Sequence, residues 1–107
     1  MMIHQYHLYI VDLNPSIGSE MKKVRPCIVL SPDEANRHLR TVIVAPITSK
    51  VHHYPFRVPV SAEKCVGEIA LDHIRSIDKS RLTKQIGELD KNTIPKLKAV
   101  LKEFLVD

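Results

Sequence analysis

The stretch DLNPSIGSEMKKVRPCIVL, residues 12–30, contains a strand end, a glycine-containing loop and the start of a second strand. Pro15 ends the first apolar run, and Gly18 allows the backbone to reverse where a side chain would resist a positive φ angle. The charged residues of the loop and its end are Glu20, Lys22, Lys23 and Arg25. The apolar run at residues 27–30 is typical of a buried strand, which would hold the end of the loop rigid. A mostly cationic loop tied at both ends to buried strands suits contact with a phosphate backbone better than core packing.

Short apolar runs elsewhere predict six or seven strands in all. The strongest signal is the β-branched run at residues 41–47, where Pro46 indicates that pairing breaks near the end of the strand. Pro26 has no donor N–H, so the second strand must begin there or lie at an edge. The runs that predict strands are residues 8–13, 25–30, 41–47, 56–60, 67–71 and 81–89, the last with a bulge or turn at Gly87.

Two helical segments complete the predicted fold. Ser31 followed by Pro32 predicts a short helical turn that ends near His38. Apolar residues spaced three and four apart within residues 90–107 predict an amphipathic helix. Its N-cap is expected at Asn92 or Thr93. The pattern alone therefore predicts a mostly β domain with a C-terminal helix.

Length and composition predict one globular domain. The 107 residues are enough for a single core, and the hydrophobic fraction of 44% with a charged fraction of 26% is typical of soluble proteins. No apolar run approaches the roughly 20 residues that span a bilayer. The N-terminal residues lack the pattern of a signal peptide, so we expect a cytoplasmic protein. Cys27 and Cys65 have no metal-ligand spacing and are expected to be free thiols.

The net charge of +4 is unevenly distributed. Residues 16–57 hold seven Lys and Arg against three acidic residues, whereas residues 58–107 hold nine against eight. This concentration favours an anionic partner, with nucleic acid the leading candidate. A solvated basic face without a partner remains the alternative on charge alone.

Three blocks of residues resemble the MazF/PemK (Kid-like) family of bacterial toxin endoribonucleases. In chain order they are DLNP, GSE and RP at residues 12–15, 18–20 and 25–26, then PITS at 46–49, then DHIRSID at 72–78. The resemblance covers nearly the whole chain as a single toxin domain of residues 1–107. It implies a small, partly open barrel of six or seven short strands with a C-terminal helix.

The resemblance also implies an activity and partners. Family members are toxins of type II toxin–antitoxin systems, which cut single-stranded RNA, chiefly mRNA, at short sequences. The products implied are a 2′,3′-cyclic phosphate and a 5′-hydroxyl end. The sequence lacks the clustered carboxylates that would hold a pair of Mg²⁺ ions, so we expect a route without a metal or other cofactor. A homodimer is implied as well, together with a cognate antitoxin whose acidic disordered segment would compete with RNA for the same cations.

Metal-free cleavage of RNA needs a base for the 2′-hydroxyl, a cation for the pentacoordinate phosphate and a donor for the departing oxygen. Arg25 is the expected cation because its guanidinium can hold two phosphate oxygens at once. Thr48 is the expected hydroxyl donor, although a threonine at a strand end often caps its own backbone. Glu20 is assigned as the base or as the residue that orients Arg25, and a solvated loop acid is its alternative reading.

Residues around these three are expected to bind RNA. Lysines would hold the phosphate backbone and contribute little sequence choice. Aromatic and imidazole rings would stack on splayed bases, as single-stranded RNA is usually recognised. The expected RNA-binding residues are Lys22, Lys23, Ser49, Lys50, His52, His53, Tyr54, Asp72 and His73.

Two alternatives to an active ribonuclease follow from the same residues. CcdB-type toxins share this kind of barrel but bind and poison DNA gyrase, and the Trp-Gly-Ile ending typical of them is missing here. An inactive homologue that only binds RNA or antitoxin is the second alternative. It is kept open by Tyr6-His7, Ile10 and His73, where most family members have Gly-Asp, Trp and Gln respectively.

Overall fold

The computed structural model describes residues 2–14, 23–62 and 64–106 of the chain. Its strands are β1 (His7–Asp12), β2 (Val24–Val29), β3 (Thr41–Thr48), β4 (Arg57–Ala62), β5 (Cys65–Ala70), β6 (Arg75–Asp78) and β7 (Leu82–Glu88). Its helices are α1 (Asp33–His38) and α2 (Ile94–Leu105), with single 3-10 turns at Leu71–His73 and Lys79–Arg81.

All seven strands belong to one sheet, and every paired strand runs antiparallel to its neighbour. The order is β4-β5-β3-β2-β1-β7, and β6 pairs with the first half of β3. No pairing joins the two end strands, β4 and β7, among the described residues, so the sheet is a half-barrel. The predicted mostly β, partly open barrel with a C-terminal helix is confirmed.

Alternate residues of the central strands enter two cores on opposite faces of the sheet. Leu8, Ile28 and Ala45 lie in the core that also contains residues of α2, which we call the helix-side core. Their chain neighbours Tyr9 and Val44 lie in a second core. Because side chains alternate along a strand, burial on both faces requires near-continuous apolar runs. The apolar runs of β1, β2 and β3 meet this requirement.

Strand β3 changes partners along its length, which explains its central proline. On one side it pairs with β6 up to Val44 and with β5 from Ile47. Pro46 lies in the gap between these two pairings. No strand accepts a hydrogen bond there on that side, so the N–H that proline lacks is not needed. Pairing does break at Pro46 on this side, but the strand itself continues to Thr48.

Helix α2 packs its apolar face on the helix-side core. Leu97 is fully buried there, and Ile94, Val100 and Leu101 pack against the same cluster. The helix begins one residue after Thr93, which occupies the N-cap position without a side-chain capping bond. The predicted amphipathic helix is confirmed, although it is shorter than residues 90–107.

Two strands differ from the prediction. The sequence does not predict strand β6, because the strand has a single buried apolar side chain, Ile77, and one residue forms no pattern. Strand β5 begins at Cys65 rather than at Gly67, because Ala62 and Cys65 already pair across the tight connection from β4.

The two cysteines are free thiols, as their spacing predicts. Cys27 and Cys65 are free and buried, and burial raises the pKa of the Cys27 thiol to about 12. Neither of these side chains ionises near neutral pH, which suits a structural role in the sheet.

Among the described residues, no helix has the length and apolar character that crossing a membrane requires.

Candidate active site and RNA interface

Arg25 and Thr48 lie on neighbouring strands at the same end of the sheet. Arg25 is half-buried near the start of β2, and Thr48 is the buried last residue of β3. Cys27 lies opposite Pro46 in this antiparallel pair. The pairing of these two strands ends there, and Arg25 and Thr48 each lie two residues beyond it, one on each strand. The structure thus places the cation and the hydroxyl that the sequence singled out at the same end of two neighbouring strands.

A pocket of about 290 Å³ opens at this end of the sheet. Its polar and charged lining comes from Lys23, Arg25, Ser49 and Lys64. Its other lining residues are Val24, Pro26, Ile47, Cys65 and Val66. Three cations around an otherwise mostly apolar pocket form a site suited to an anion such as a phosphate group. We call it the cationic pocket.

Lys64 was not among the residues predicted to bind RNA. It lies in the connection between β4 and β5, which the chain separates from Arg25 by almost forty residues. Only the pairing of β5 with β3 brings this connection to the pocket. A single lysine between two short strands carries no sequence signal for such a role.

The backbone at Thr48 is held closely by β5. Its side-chain oxygen accepts a hydrogen bond from the backbone N–H of Lys50 at 3.1 Å, so the threonine does cap its own strand end. Gly67 of β5 packs against the main chain of Thr48, and a Cβ atom at Gly67 would overlap the Thr48 carbonyl oxygen. Glycine is therefore required at this position for β3 and β5 to approach each other.

Lys23 closes the base of the loop in an unusual backbone conformation. Its φ angle is 75°, in the left-handed region that lysine rarely adopts. Its N–H donates to the side-chain oxygen of Asn14 at 3.0 Å, and its carbonyl accepts from Leu13 N–H at 3.1 Å. These bonds hold the ends of the loop together. Two predicted site residues, Glu20 and Lys22, lie outside the described residues.

A buried glutamate holds the second loop, residues 49–56. The backbone N–H groups of His52 and His53 donate to the two carboxylate oxygens of Glu68, each at 3.0 Å. Glu68 is only 1% exposed, and it lies opposite Thr48 in the pairing of β3 with β5. Burial opposes its ionisation, but the two N–H donors and nearby Arg57 outweigh it and lower the pKa below the ordinary 4.5.

Arg57 connects this glutamate to the third block of the sequence. Its guanidinium binds both oxygens of Asp72, at 2.8 and 2.9 Å, and lies 3.7 Å from Glu68. The pKa of Asp72 is lowered, because the bonds from Arg57 outweigh its partial burial. His73 lies 3.5 Å from the same carboxylate. Both oxygens of Asp72 are already hydrogen-bonded, so a contact with a base would have to share them.

Four rings form a row that we call the aromatic stack. His52 lies on Tyr54 with centroids 5.0 Å apart and planes 8° apart. Tyr54 lies on Phe56 at 5.1 Å, and Phe56 lies on Phe104 of α2 at 5.4 Å. The guanidinium of Arg57 lies 5.3 Å from the Tyr54 ring centre. Tyr54 therefore contacts two rings and a cation.

The predicted site residues fall into two groups. Lys23, Arg25 and Ser49 line the cationic pocket, with Thr48 at its margin, while Lys50 is exposed on the following loop. The second group contains His52, His53, Tyr54, Asp72 and His73, whose segments are joined through two residues that the sequence did not single out, Arg57 and Glu68. Their assigned roles toward RNA stay predictions.

Two charged residues within apolar strands were the signal that sequence reasoning missed. Glu68 interrupts the run of β5, and Arg57 begins β4. A buried charge needs a partner, so two such residues in neighbouring strands point to each other. Within the described ranges, no three His, Cys, Asp or Glu side chains are grouped so that they could hold a metal ion.

Known proteins share this fold over its whole length. Residues 4–105 match the family described as PemK-like, MazF-like toxin of type II toxin–antitoxin system. Endoribonuclease EndoA of Bacillus subtilis (strain 168) is 37% identical over 108 residues, covering 95% of this chain and 93% of that protein.

Solved structures agree with the sequence match. MazF (Form-I) from Deinococcus radiodurans has a TM-score of 0.88 at 30% identity, covering 98% of this chain and 97% of that chain. MazE-MazF (Form-II) from the same organism has a TM-score of 0.82 at 27% identity, covering 99% and 97%.

The half-barrel carries a cationic pocket whose lining suits an anion. The chain belongs to the PemK-like, MazF-like toxin family of type II toxin–antitoxin systems. The resemblance seen in the three sequence blocks is thereby confirmed.

Proposed function

We propose that this toxin is an endoribonuclease that cuts single-stranded RNA, chiefly mRNA, at short sequences by attack of the 2′-hydroxyl on the adjacent phosphate. The products are a 2′,3′-cyclic phosphate and a 5′-hydroxyl end, and no metal takes part. The observation that carries the proposal is the cationic pocket that Arg25 lines, with Thr48 between the lining residues Ile47 and Ser49. The 37% identity to an endoribonuclease supports the same activity.

Arg25 stabilises the pentacoordinate phosphate in this proposal. Its guanidinium stays charged at neutral pH, so it can hold two phosphate oxygens as negative charge develops on them. Lys23 and Lys64 add positive charge around the same pocket. Three cations increase both the affinity for a phosphate and the preference for its more highly charged transition state.

Thr48 and Glu20 complete the proposed chemistry. The Thr48 hydroxyl accepts from Lys50 N–H, which leaves its own proton available to a phosphate oxygen or to the departing 5′-oxygen. Glu20 takes the proton from the 2′-hydroxyl or orients Arg25. A carboxylate in the loop before Arg25 is close in sequence to the cation that it would assist.

Residues of the cationic pocket and of the two segments that Arg57 and Glu68 join bind the RNA strand. Lys22, Lys23 and Lys50 contact phosphates, while His52, His53 and Tyr54 contact bases. Asp72 and His73 contribute hydrogen bonds to base edges. The alignment of the aromatic stack supports the base contacts, because aromatic faces bind bases of single-stranded RNA.

The proposed partners follow from the family and from charge. A cognate antitoxin with an acidic disordered segment would compete with RNA for the cationic pocket. The crystal structure of MazE-MazF supports a protein partner of this kind. We also propose that the toxin acts as a homodimer in the cytoplasm.

Mapping of cut sites on a long RNA of known sequence tests the proposal. The wild-type protein, Arg25→Ala and Arg37→Ala are each incubated with the RNA in excess EDTA, and every new 5′ end is sequenced. Arg37 lies exposed on α1, so its replacement controls for loss of positive charge alone. We expect identical discrete cuts from wild type and Arg37→Ala, and none from Arg25→Ala.

Two results would contradict the proposal. Cuts that disappear in EDTA would refute the metal-free route. Intact RNA after incubation with folded wild-type protein would refute the nuclease activity itself, and inhibition of DNA gyrase would then be measured.

A further inference from the structure

Glu68 carries a buried charge whose place in the fold is unusual. It is 1% exposed in the middle of β5, where the neighbouring residues Gly67 and Ile69 are also buried. A carboxylate in such a position is stable only when its oxygens are hydrogen-bonded. Both oxygens accept a bond from the loop after β3, at 3.0 Å each.

The two donors are consecutive backbone N–H groups, which is a geometry specific to an anion. His52 and His53 point their N–H groups at one carboxylate, and His53 adopts a left-handed φ of 59°. Successive N–H groups that converge in this way form a small anion-binding nest. A non-glycine residue adopts the left-handed region only when its surroundings hold it there. Glu68 supplies that restraint.

The restrained segment is the one that bears the base-contacting side chains. Its imidazole and phenol rings are exposed, whereas the backbone beneath them is fixed by the buried carboxylate. Glu68 also lies opposite Thr48 in the pairing of β3 with β5. The same residue therefore sets the position of the loop relative to the pocket in which RNA is cut.

Arg57 extends this restraint to the aromatic stack. Its guanidinium lies 3.7 Å from Glu68 and 5.3 Å from the Tyr54 ring centre. The row runs from His52 through Tyr54 and Phe56 to Phe104 of α2. His52 is therefore the end of the aromatic stack that lies in the loop after β3, and its ring is exposed. A nucleobase would extend the row by stacking there.

We infer that Glu68 is a positioning residue for RNA: it holds the segment of His52 and His53 so that the His52 end of the aromatic stack meets a base of the substrate. The choice of cut sequence then depends on Glu68 even though its side chain contacts no RNA. This inference rests on the proposed ribonuclease function.

Glu68→Gln tests the inference with the least change in shape. Glutamine keeps one acceptor oxygen but places an NH₂ group against the second backbone N–H, so one of the two bonds is lost. Glu34→Gln, at an exposed position of α1, is the matched control. For each protein, kcat and KM are measured on an RNA oligonucleotide with the preferred sequence and on versions with one base changed.

We expect Glu68→Gln to raise KM on the preferred sequence by roughly tenfold, as the loss of one buried hydrogen bond allows. The value of kcat should change by less than about threefold, because the cationic pocket is intact. Discrimination against the changed bases should fall, and the amide protons of His52 and His53 should exchange faster with solvent. Glu34→Gln should match the wild type in every measurement.

Two results would overturn the inference. One is a Glu68→Gln protein that is folded and has wild-type KM and wild-type discrimination. The other is a loss confined to kcat, which would assign Glu68 to the chemistry instead. If Glu68→Gln fails to fold, Glu68→Asp replaces it: both oxygens remain but lie farther from the loop, so a smaller rise in KM is expected and an unchanged KM refutes the inference.

Failure of the proposed function looks different. A wild-type protein that cuts no RNA refutes the nuclease activity and this inference together. A wild-type protein that cuts at discrete sites, beside a Glu68→Gln protein that cuts the same sites equally well, refutes the inference alone.

Discussion

Gly67 packs so closely against the main chain of Thr48 that no side chain fits between them. A Cβ atom at Gly67 would overlap the Thr48 carbonyl oxygen and lie 3.3 Å from the Cα atom of Ser49. All of these neighbouring atoms belong to the backbone, which cannot rotate away as a flexible side chain would. The position of the proposed hydroxyl donor is therefore determined by a glycine on another strand.

Gly67→Ala should both destabilise the protein and impair cleavage. We expect a loss of about 1–3 kcal/mol in the free energy of unfolding, as is usual when a well-packed site is overfilled. Urea denaturation measures this loss, with Val66→Ala at the exposed neighbouring position as the control. The control should stay within about 0.5 kcal/mol of wild type. Equal stability of Gly67→Ala and wild type would show that β3 and β5 can separate freely.

Lys23 combines a charge with a strained backbone, and two variants separate these roles. Lys23→Gly and Lys23→Ala both remove the charge, so RNA affinity should fall equally in both. Glycine tolerates the φ angle of 75°, whereas alanine does not, so Lys23→Gly should be more stable by about 1 kcal/mol. Thermal or urea unfolding of the pair measures the difference. A more stable Lys23→Ala would contradict the left-handed conformation.

Arg57→Met should destabilise the protein more than removal of any exposed arginine. It would leave the carboxylates of Glu68 and Asp72 without their cation, and Glu68 is fully buried. Removal of one partner from such a pair costs about 3 kcal/mol, and we expect a loss of that order in the free energy of unfolding. Arg37→Met on the exposed face of α1 is the control, with an expected change below about 0.5 kcal/mol. Similar losses for both variants would refute the role of Arg57.

Acid should destabilise the protein through the same carboxylates. The pKa values of Glu68 and Asp72 lie below their ordinary values of 4.5 and 3.8 in the folded state. As the pH falls through these ordinary values, the unfolded chain takes up protons first, so stability decreases until the folded-state pKa values are passed. The stabilisation is fully present at neutral pH.

Urea denaturation between neutral pH and pH 3 checks this dependence. Glu68→Gln has one titrating carboxylate fewer, so its stability should fall less steeply in acid than that of the wild type. Glu34→Gln provides the matched control and should follow the wild-type curve. Parallel curves for Glu68→Gln and wild type would show that Glu68 does not contribute to acid sensitivity.

Most of the fold could be predicted from the sequence, because the central strands bury both faces. The apolar run of β3 has almost no other stable conformation than a strand within a covered sheet. Strand β6 could not be found in this way, since it has a single buried apolar residue and forms only because β3 offers an unpaired edge. Pairing between distant segments decides such a strand, and local pattern does not record it.

Some residues of the candidate site could be predicted from the sequence, and others could not. Arg25 and Thr48 lie at strand ends within recognisable blocks, and the structure places them on neighbouring strands. Lys64, Arg57 and Glu68 acquire their positions only through the pairing of β5 with β3 and β4. In the sequence, Arg57 and Glu68 stand out only as charges in apolar strands, and neither their spacing nor that of Lys64 says which residues they meet.

The same three strands, β1, β2 and β3, contribute side chains to both cores, and this affects how the protein unfolds. Leu8 and Tyr9 are adjacent in β1, yet they lie in different cores on opposite faces. Exposure of either face to solvent removes the support of the strands that also form the other. Unfolding should therefore be a single cooperative transition, and the amides of β1, β2 and β3 should exchange only when the whole chain opens. We therefore expect the sheet and the cationic pocket of this toxin to be lost together when the protein unfolds.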